Sequence, residues 1–233
     1  MRIFGKGFNF SQDGPGNRLV YHLSGCNMAC IWCSNPDGMS HTAGKDYSVK
    51  EIVDECISCR PMFFSNGGVT FTGGEATLQA DELIEVLTAL KHAGIHTAIE
   101  TNGTSKRLPE IAELVDYLIM DFKHHDSEIL KSFTGVGNEA IKLNFEHFCG
   151  IGRQLHIRIP LINGVNADSP ESFAKYFSRF NTQNVVFEFL AYHEYGKEKW
   201  QGEYKMENGF VTPDTIAKFK SVFKEYGLNT VIT

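Results

Sequence analysis

Residues 25–33 read Gly-Cys-Asn-Met-Ala-Cys-Ile-Trp-Cys, so that Cys26, Cys30 and Cys33 are spaced C-x3-C-x2-C. Three thiolates on one short loop constrain the fold because soft ligands this close together suit zinc, copper(I) or iron–sulfur iron. Each can bind one iron of a [4Fe–4S] cube, leaving the fourth iron without a protein ligand and open to a substrate. Electron-transfer clusters are normally closed by four cysteines, so a three-cysteine loop points to chemistry at the open iron. Two plainer readings share the spacing: a three-cysteine zinc site completed by a distant histidine, or three buried cysteines.

The remaining sequence sets the context. With 233 residues, 42% hydrophobic and 21% charged, the chain has the composition of an ordinary globular protein, long enough for one substantial core. A net charge of −6 argues against a general nucleic-acid binder, which needs clustered Lys and Arg. The start carries no apolar run of signal-peptide length, and no stretch of about 20 apolar residues follows. A cytoplasmic protein with reduced thiols and no membrane contact is expected. An open cluster also implies sensitivity to oxygen, and so an anaerobic setting.

Apolar runs ending at glycine or polar residues predict strands over 19–24, 69–72, 96–100, 117–122, 155–160, 185–190 and 228–232. Helical spacing predicts helices over 48–59, 81–92, 108–114, 139–149 and 170–180, and another opening at Thr212-Pro213. Strands alternating with helices imply βαβ units and a mainly parallel sheet, an α/β fold. No linker or low-complexity tract divides the chain, so one domain, 1–233, is expected. In parallel α/β folds the ligand site forms at the carboxyl ends of the strands. Those ends supply the cysteine loop, Gly73-Gly74-Glu75, Glu100-Thr101-Asn102-Gly103, Asp121-Phe122-Lys123, Arg158 and Tyr192-His193.

The cysteine spacing with Trp32 before the third cysteine is the signature of the radical S-adenosylmethionine (SAM) enzymes. Asp13-Gly-Pro-Gly16, Gly25-Cys26 and Cys33-Ser34-Asn35-Pro36 narrow the match. From about Asp13 to its end the chain resembles the activating enzymes of glycyl radical enzymes, of the pyruvate formate-lyase-activating type. The resemblance implies a partial (β/α)6 barrel whose open side admits a large partner. It implies one [4Fe–4S] cluster on Cys26, Cys30 and Cys33, with Trp32 and Asn35 beside the cofactor. Gly73, Gly74 and Glu75 then correspond to the motif that meets the amino group of SAM. Glu100, Thr101 and Asp121 map onto residues that bind SAM and a nearby monovalent cation, sodium or potassium. Position 100 departs from the family pattern, where the acid is an aspartate. Lys123 and Arg158 are the positive groups for the SAM carboxylate and ribose, and His193 approaches the adenosyl group. Asp13 meets the glycine-bearing peptide of the partner.

The implied reaction is reductive cleavage of SAM to a 5′-deoxyadenosyl radical, which takes a Cα hydrogen from one glycine of a partner glycyl radical enzyme such as pyruvate formate-lyase. The cofactors carry that chemistry, and the chain supplies binding and orientation. Asp13, Lys123 and His193 are the residues expected nearest the reaction. A radical SAM enzyme acting on a small molecule, like the 7-carboxy-7-deazaguanine synthases, shares the Glu-Thr-Asn-Gly stretch but not the Asp13 loop or the His193–Trp200 segment. A non-catalytic iron–sulfur or zinc module is the reading from another class.

Many activases carry a ferredoxin-like insert between the cysteine loop and the Gly-Gly-Glu strand. Here residues 34–68 hold only Cys56 and Cys59, and Cys149 is the one other spare thiol. Three spare cysteines are one short of a second ordinary cluster. The electron is therefore expected from outside, from flavodoxin or ferredoxin, and the chain is expected to be a monomer. Cys56 reads as a small buried hydrophobe, although a C-x2-C pair can be redox-active.

Overall fold

A computed structural model describes residues 1–10 and 12–231. The chain divides into two compact units, one of Met1–Asn27, Asn35–Thr101 and Ser105–Ile119, the other of Met28–Ser34, Asn102–Thr104 and Met120–Thr233.

The first unit opens with β1 (Arg2–Phe10), which the apolar pattern does not predict because Arg2, Lys6, Asn9 and two glycines interrupt it. Pairing makes it a strand: β1 runs antiparallel to β2 (Asn17–Leu23) from Ile3↔Leu23 to Phe10↔Asn17. A short β3 (Lys45–Asp46) pairs with Arg2 and Ile3 on the other side. Beyond β2 lies β4 (Gly68–Gly73), parallel to it, and then β5 (Thr97–Thr101), parallel to β4. β6 (Tyr117–Asp121) begins in this unit and ends in the second. In the second unit β7 (Leu155–Leu161) and β8 (Val185–Ala191) are parallel, with Arg158 opposite Glu188. The fold is α/β with mainly parallel strands in a sheet that is not closed.

β2 and β4 to β8 match six predicted strands, with ends displaced by at most two residues. The predicted last strand, 228–232, is reduced to a bridge at Phe187↔Thr230 among the described residues, and Ile232 lies outside them.

Helices follow the strands for local reasons. α1 (Val49–Ser58) starts at a capping box: Ser48 Oγ accepts from Glu51 N–H at 3.2 Å while Ser48 N–H donates to the Glu51 carboxylate at 2.7 Å. α2 (Ala80–His92) buries Leu83, Val86, Leu87 and Leu90 and stops at Gly94, whose φ of +64° is left-handed. α3 (Leu108–Ala112) is shorter than predicted. α4 (Ser127–Thr134) is an addition to the prediction, capped by Asp126, which accepts from Ile129 N–H at 3.0 Å, and closed by Gly135 at φ +81°. α5 (Glu139–Gly150), α6 (Pro170–Phe177) and α7 (Pro213–Glu225) complete the second unit; α6 ends three residues before its predicted stop at Phe180. No helix among the described residues is long and apolar enough to cross a membrane.

Alternation along the strands gives each unit a dry face and a polar face. In the first, Tyr21 stacks on Phe71 at 5.5 Å, and its hydroxyl donates to Glu55 of α1 at 2.7 Å. The opposite face of the same strands carries Arg18, His22, Thr70, Thr72 and Glu100. In the second, Phe187 and Phe189 pack on Phe177, Phe219 and Phe223 with ring centroids 4.6 to 5.3 Å apart. Each such ring contributes about 2–3 kcal/mol by leaving water. The other face of β7 and β8 carries His156, Arg158 and Glu188. Polar residues at alternate positions of otherwise apolar strands are what a ligand-bearing face requires.

Candidate active site

The cysteine loop starts where β2 ends. Gly74 N–H donates to Leu23 C=O at 2.8 Å and Glu75 N–H to Gly25 C=O at 2.7 Å. Gly25 N–H donates to Gly38 C=O at 2.8 Å, and Cys26 N–H to Met39 C=O at 3.3 Å. Three turns thus share one backbone junction. A Cβ at Gly74 would stand 2.3 Å from the carbonyl oxygens of both Gly25 and Gly38, and one at Gly73 (φ +126°) 2.2 Å from Leu23 N. The close approach these glycines permit is therefore made to neighbouring backbone, beneath Cys26.

Glu75 is 1% exposed, and its Oε1 accepts from Thr77 N–H at 3.0 Å, Thr77 Oγ1 at 2.6 Å and Thr101 Oγ1 at 2.7 Å. A buried carboxylate oxygen that accepts from three donors is held rigidly in place. Glu100, half-buried at the end of β5, accepts from Thr72 Oγ1 at 3.0 Å. Asn35 leads into a 3-10 helix over Pro36–Met39, and its carbonyl accepts from Gly38 N–H at 3.0 Å. Asp13 precedes β2; Asn9 Nδ2 donates to its carboxylate, and its carbonyl accepts from Thr70 Oγ1 at 2.7 Å.

In the second unit Cys30 is buried and Cys33 half-buried, joined by a turn in which Cys33 N–H donates to Cys30 C=O at 3.1 Å. The last carbonyls of α4 hold this segment: Ala29 N–H donates to Thr134 C=O at 2.8 Å and Ile31 N–H to Phe133 C=O at 3.2 Å. These are helix-end carbonyls that would otherwise lack partners. Trp32 packs on Phe133 at 5.9 Å, and Trp200 Nε1 donates to Cys33 C=O at 3.2 Å.

Asp121 and Lys123 form a close ion pair, and the Lys123 carbonyl accepts from Asn166 Nδ2 at 2.8 Å. The buried Arg158 donates through Nε to Glu188 Oε2 at 2.9 Å, and His156 Nε2 stands 3.0 Å from the same oxygen. The hydrogen bond from His156, then the Arg158 charge, pulls the Glu188 carboxyl down to about 2. His193 is half-buried, its ring stacked on the exposed Tyr195 at 4.2 Å, and burial lowers its pKa. Asn102 turns back on Thr104, its Oδ1 accepting from Thr104 Oγ1 at 2.7 Å.

Sequence reasoning did not single out Arg18, Thr70, Thr72, His156 or Glu188. Their signal was present as polar residues at alternate positions within apolar strands.

The residues fit an iron–sulfur cube. None of the six cysteines is in a disulfide. Among the described residues no three His, Cys, Asp or Glu side chains close round a single ion, and a cube needs no such convergence because each thiolate binds its own iron.

The sequence matches the Radical SAM superfamily over residues 20–177. It is 32% identical, over 97% of this chain and 98% of the relative, to the pyruvate formate-lyase 1-activating enzyme of Escherichia coli (strain K12). It is 28% identical, over 95% of both chains, to the trans-4-hydroxy-L-proline dehydratase activating enzyme of Clostridioides difficile. The crystal structure of a domain of pyruvate-formate lyase-activating enzyme from Bacteroides vulgatus ATCC 8482 is similar at a TM-score of 0.61 and 29% identity, covering 72% of this chain and 99% of that one. A match over most of the chain, with relatives of nearly equal length, extends well beyond the cysteine motif. The chain belongs to the radical SAM superfamily and, within it, to the activating enzymes of glycyl radical enzymes.

Proposed function

We propose that this activase holds one [4Fe–4S] cluster on Cys26, Cys30 and Cys33, binds SAM, and removes a Cα hydrogen from a glycine of pyruvate formate-lyase. What supports the reading is the polar set at the carboxyl ends of the strands, in a chain whose relatives over nearly their full length are activating enzymes. When bound, the reduced cluster and SAM supply a 5′-deoxyadenosyl radical. The chain's own residues bind and orient.

Glu75, fixed by Thr77 and Thr101, stiffens the turn against which Gly25 and Cys26 are hung. Gly73, Gly74, Glu75, Trp32, Asn35, Glu100 and Thr101 line the SAM site in this reading, with a monovalent cation beside Glu100. Asp121 and Lys123 offer an acceptor and a donor side by side, suited to ribose hydroxyls and a carboxylate. Arg158, aligned by Glu188, adds a second cation, and His193 presents a ring to the adenosyl group. Asp13 receives the partner's peptide. The reaction needs no general base, so the groups need only be placed. Residues 1–233 act as one domain and as a monomer in an anaerobic cytoplasm, with flavodoxin or ferredoxin as electron donor.

The test is anaerobic incubation of the reconstituted protein with SAM, reduced flavodoxin and pyruvate formate-lyase. A glycyl radical in the electron paramagnetic resonance spectrum, with matching 5′-deoxyadenosine, is expected. SAM cleavage with no radical on pyruvate formate-lyase, but one on another glycyl radical enzyme, would reassign the partner.

A further inference from the structure

We propose that Arg18 and Thr70 are positioning residues that hold the Asp13–Gly16 turn in the shape that receives the partner's glycine-bearing segment. The inference rests on the reading of Asp13 as the contact for that segment.

The argument starts from an expensive feature. Arg18 is 0% exposed, yet among the described residues its guanidinium hydrogen-bonds only neutral groups: Thr70 Oγ1 at 2.6 Å, Val69 C=O at 2.6 Å, Pro15 C=O at 3.0 Å and His96 Nδ1 at 3.3 Å. Burying a cation with no carboxylate in hydrogen-bond contact is costly, and a neutral side chain would fill the same space. Burial lowers the Arg18 pKa to about 10, so the group stays charged at neutral pH, with Asp13 and Asp116 as the nearby opposite charges. The cation is therefore retained for what it holds.

It holds the turn. Pro15 C=O is bonded to Arg18 directly, and Asp13 C=O is bonded through Thr70, whose hydroxyl accepts from Arg18 Nε and donates to Asp13. One guanidinium thus fixes two carbonyls of the same turn, one of them through a single hydroxyl. Asn9 holds the Asp13 carboxylate. Gly14 and Gly16 have φ of +114° and +73°, and a Cβ at Gly16 would stand 2.6 Å from the backbone of Asn66 and Gly67. The turn is thus held by Asn9, Arg18 and Thr70 and packed against the Asn66–Gly67 backbone.

Its position suits a peptide receptor. Thr70, the anchor of Asp13, and Thr72, the partner of Glu100, are two residues apart on one face of β4, about 6.6 Å by strand rise. A segment drawn out of its own protein loses conformational entropy on binding, and a preformed receptor avoids adding a second ordering cost.

The experiment uses the reconstituted holoprotein and three variants. Thr70→Val removes the hydroxyl at constant volume, Thr70→Ser restores it, and Arg18→Lys keeps the charge but loses the fork. Amide exchange at Gly14, Gly16 and Asn17 should be roughly three- to tenfold faster in Thr70→Val and Arg18→Lys, as for one lost hydrogen bond, and near wild type in Thr70→Ser. The KM for pyruvate formate-lyase should rise by a similar factor with kcat little changed. Should Thr70→Val not fold, Arg18→Lys carries the same measurements. Unchanged exchange overturns the proposal, as does faster exchange with unchanged KM where Asp13→Ala raises KM. Faster exchange with KM unchanged in Asp13→Ala as well overturns the reading of Asp13 instead.

Discussion

Arg158 and Glu188 occupy matched positions on two parallel strands, with Arg158 Nε 2.9 Å from Glu188 Oε2 and His156 Nε2 3.0 Å from the same oxygen. One carboxylate therefore orients two groups on the polar face of β7 and β8. Its pKa is depressed from 4.5 to about 2, so it stabilises the fold fully above the unfolded value. That contribution is lost as pH falls from about 5 to 2, and is worth roughly 1–3 kcal/mol. Urea unfolding of Glu188→Gln should show reduced stability at pH 7 and a flatter dependence between pH 5 and 3. A slope equal to that of the wild type would mean that Glu188 is not held in this way.

Glu75 is the acceptor for three donors in a site with 1% exposure. Glu75→Ala leaves Thr77 and Thr101 without that acceptor and should cost about 2–4 kcal/mol in the apo-protein, measured by denaturant unfolding. A loss under 1 kcal/mol would show the network to be dispensable.

Cys56 is 0% exposed, and burial pushes its thiol up to about 12, with Tyr21 Oη at 3.7 Å. The wild-type protein should resist iodoacetamide at Cys56 near pH 8, because the thiolate is the reacting form. Cys56→Ser/Cys59→Ser should keep about four irons per chain, whereas alanine at Cys26, Cys30 or Cys33 should lose most of them. Iron assay after anaerobic reconstitution reads both results, and iron loss in the double variant would assign the pair a metal role.

Lys123 pairs with Asp121 at the end of β6. Lys123→Met and Asp121→Ala should each weaken SAM binding by roughly 10- to 100-fold, as for a lost charge-assisted hydrogen bond, while iron content stays at the wild-type level. Equilibrium dialysis with SAM under anaerobic conditions measures this. Wild-type affinity in both variants would move the SAM site elsewhere.

The parallel strands were legible because each is an apolar run stopped by glycine or a polar group, as at Ser24-Gly25 after Leu23 and Lys123 after Phe122. β1 was not, since its stability comes from pairing with β2 rather than from its own composition. α4 had readable ends in Asp126 and Gly135, but only eight residues lie between them, too few for a clear period. The cysteine loop and the Gly-Gly-Glu turn were visible by type and spacing. What spacing does not convey is that Gly74 lies against Gly25 and Gly38, or that α4 holds the cysteine segment through its last carbonyls. Contacts between residues far apart in the chain leave little trace in either segment.

The chain has two tryptophans, Trp32 and Trp200, and both border Cys33: one precedes it in the loop, and the other donates its indole N–H to the Cys33 carbonyl. Intrinsic emission excited at the indole band therefore arises almost wholly beside the Cys30–Cys33 segment. Iron–sulfur absorption overlaps that emission, so if Cys26, Cys30 and Cys33 hold the cluster as proposed, its loading and oxidative loss should read as quenching and recovery in the unlabelled protein. Trp200→Phe and Trp32→Phe divide the signal between the two sides of Cys33, giving the chain a built-in optical gauge of its own metal content.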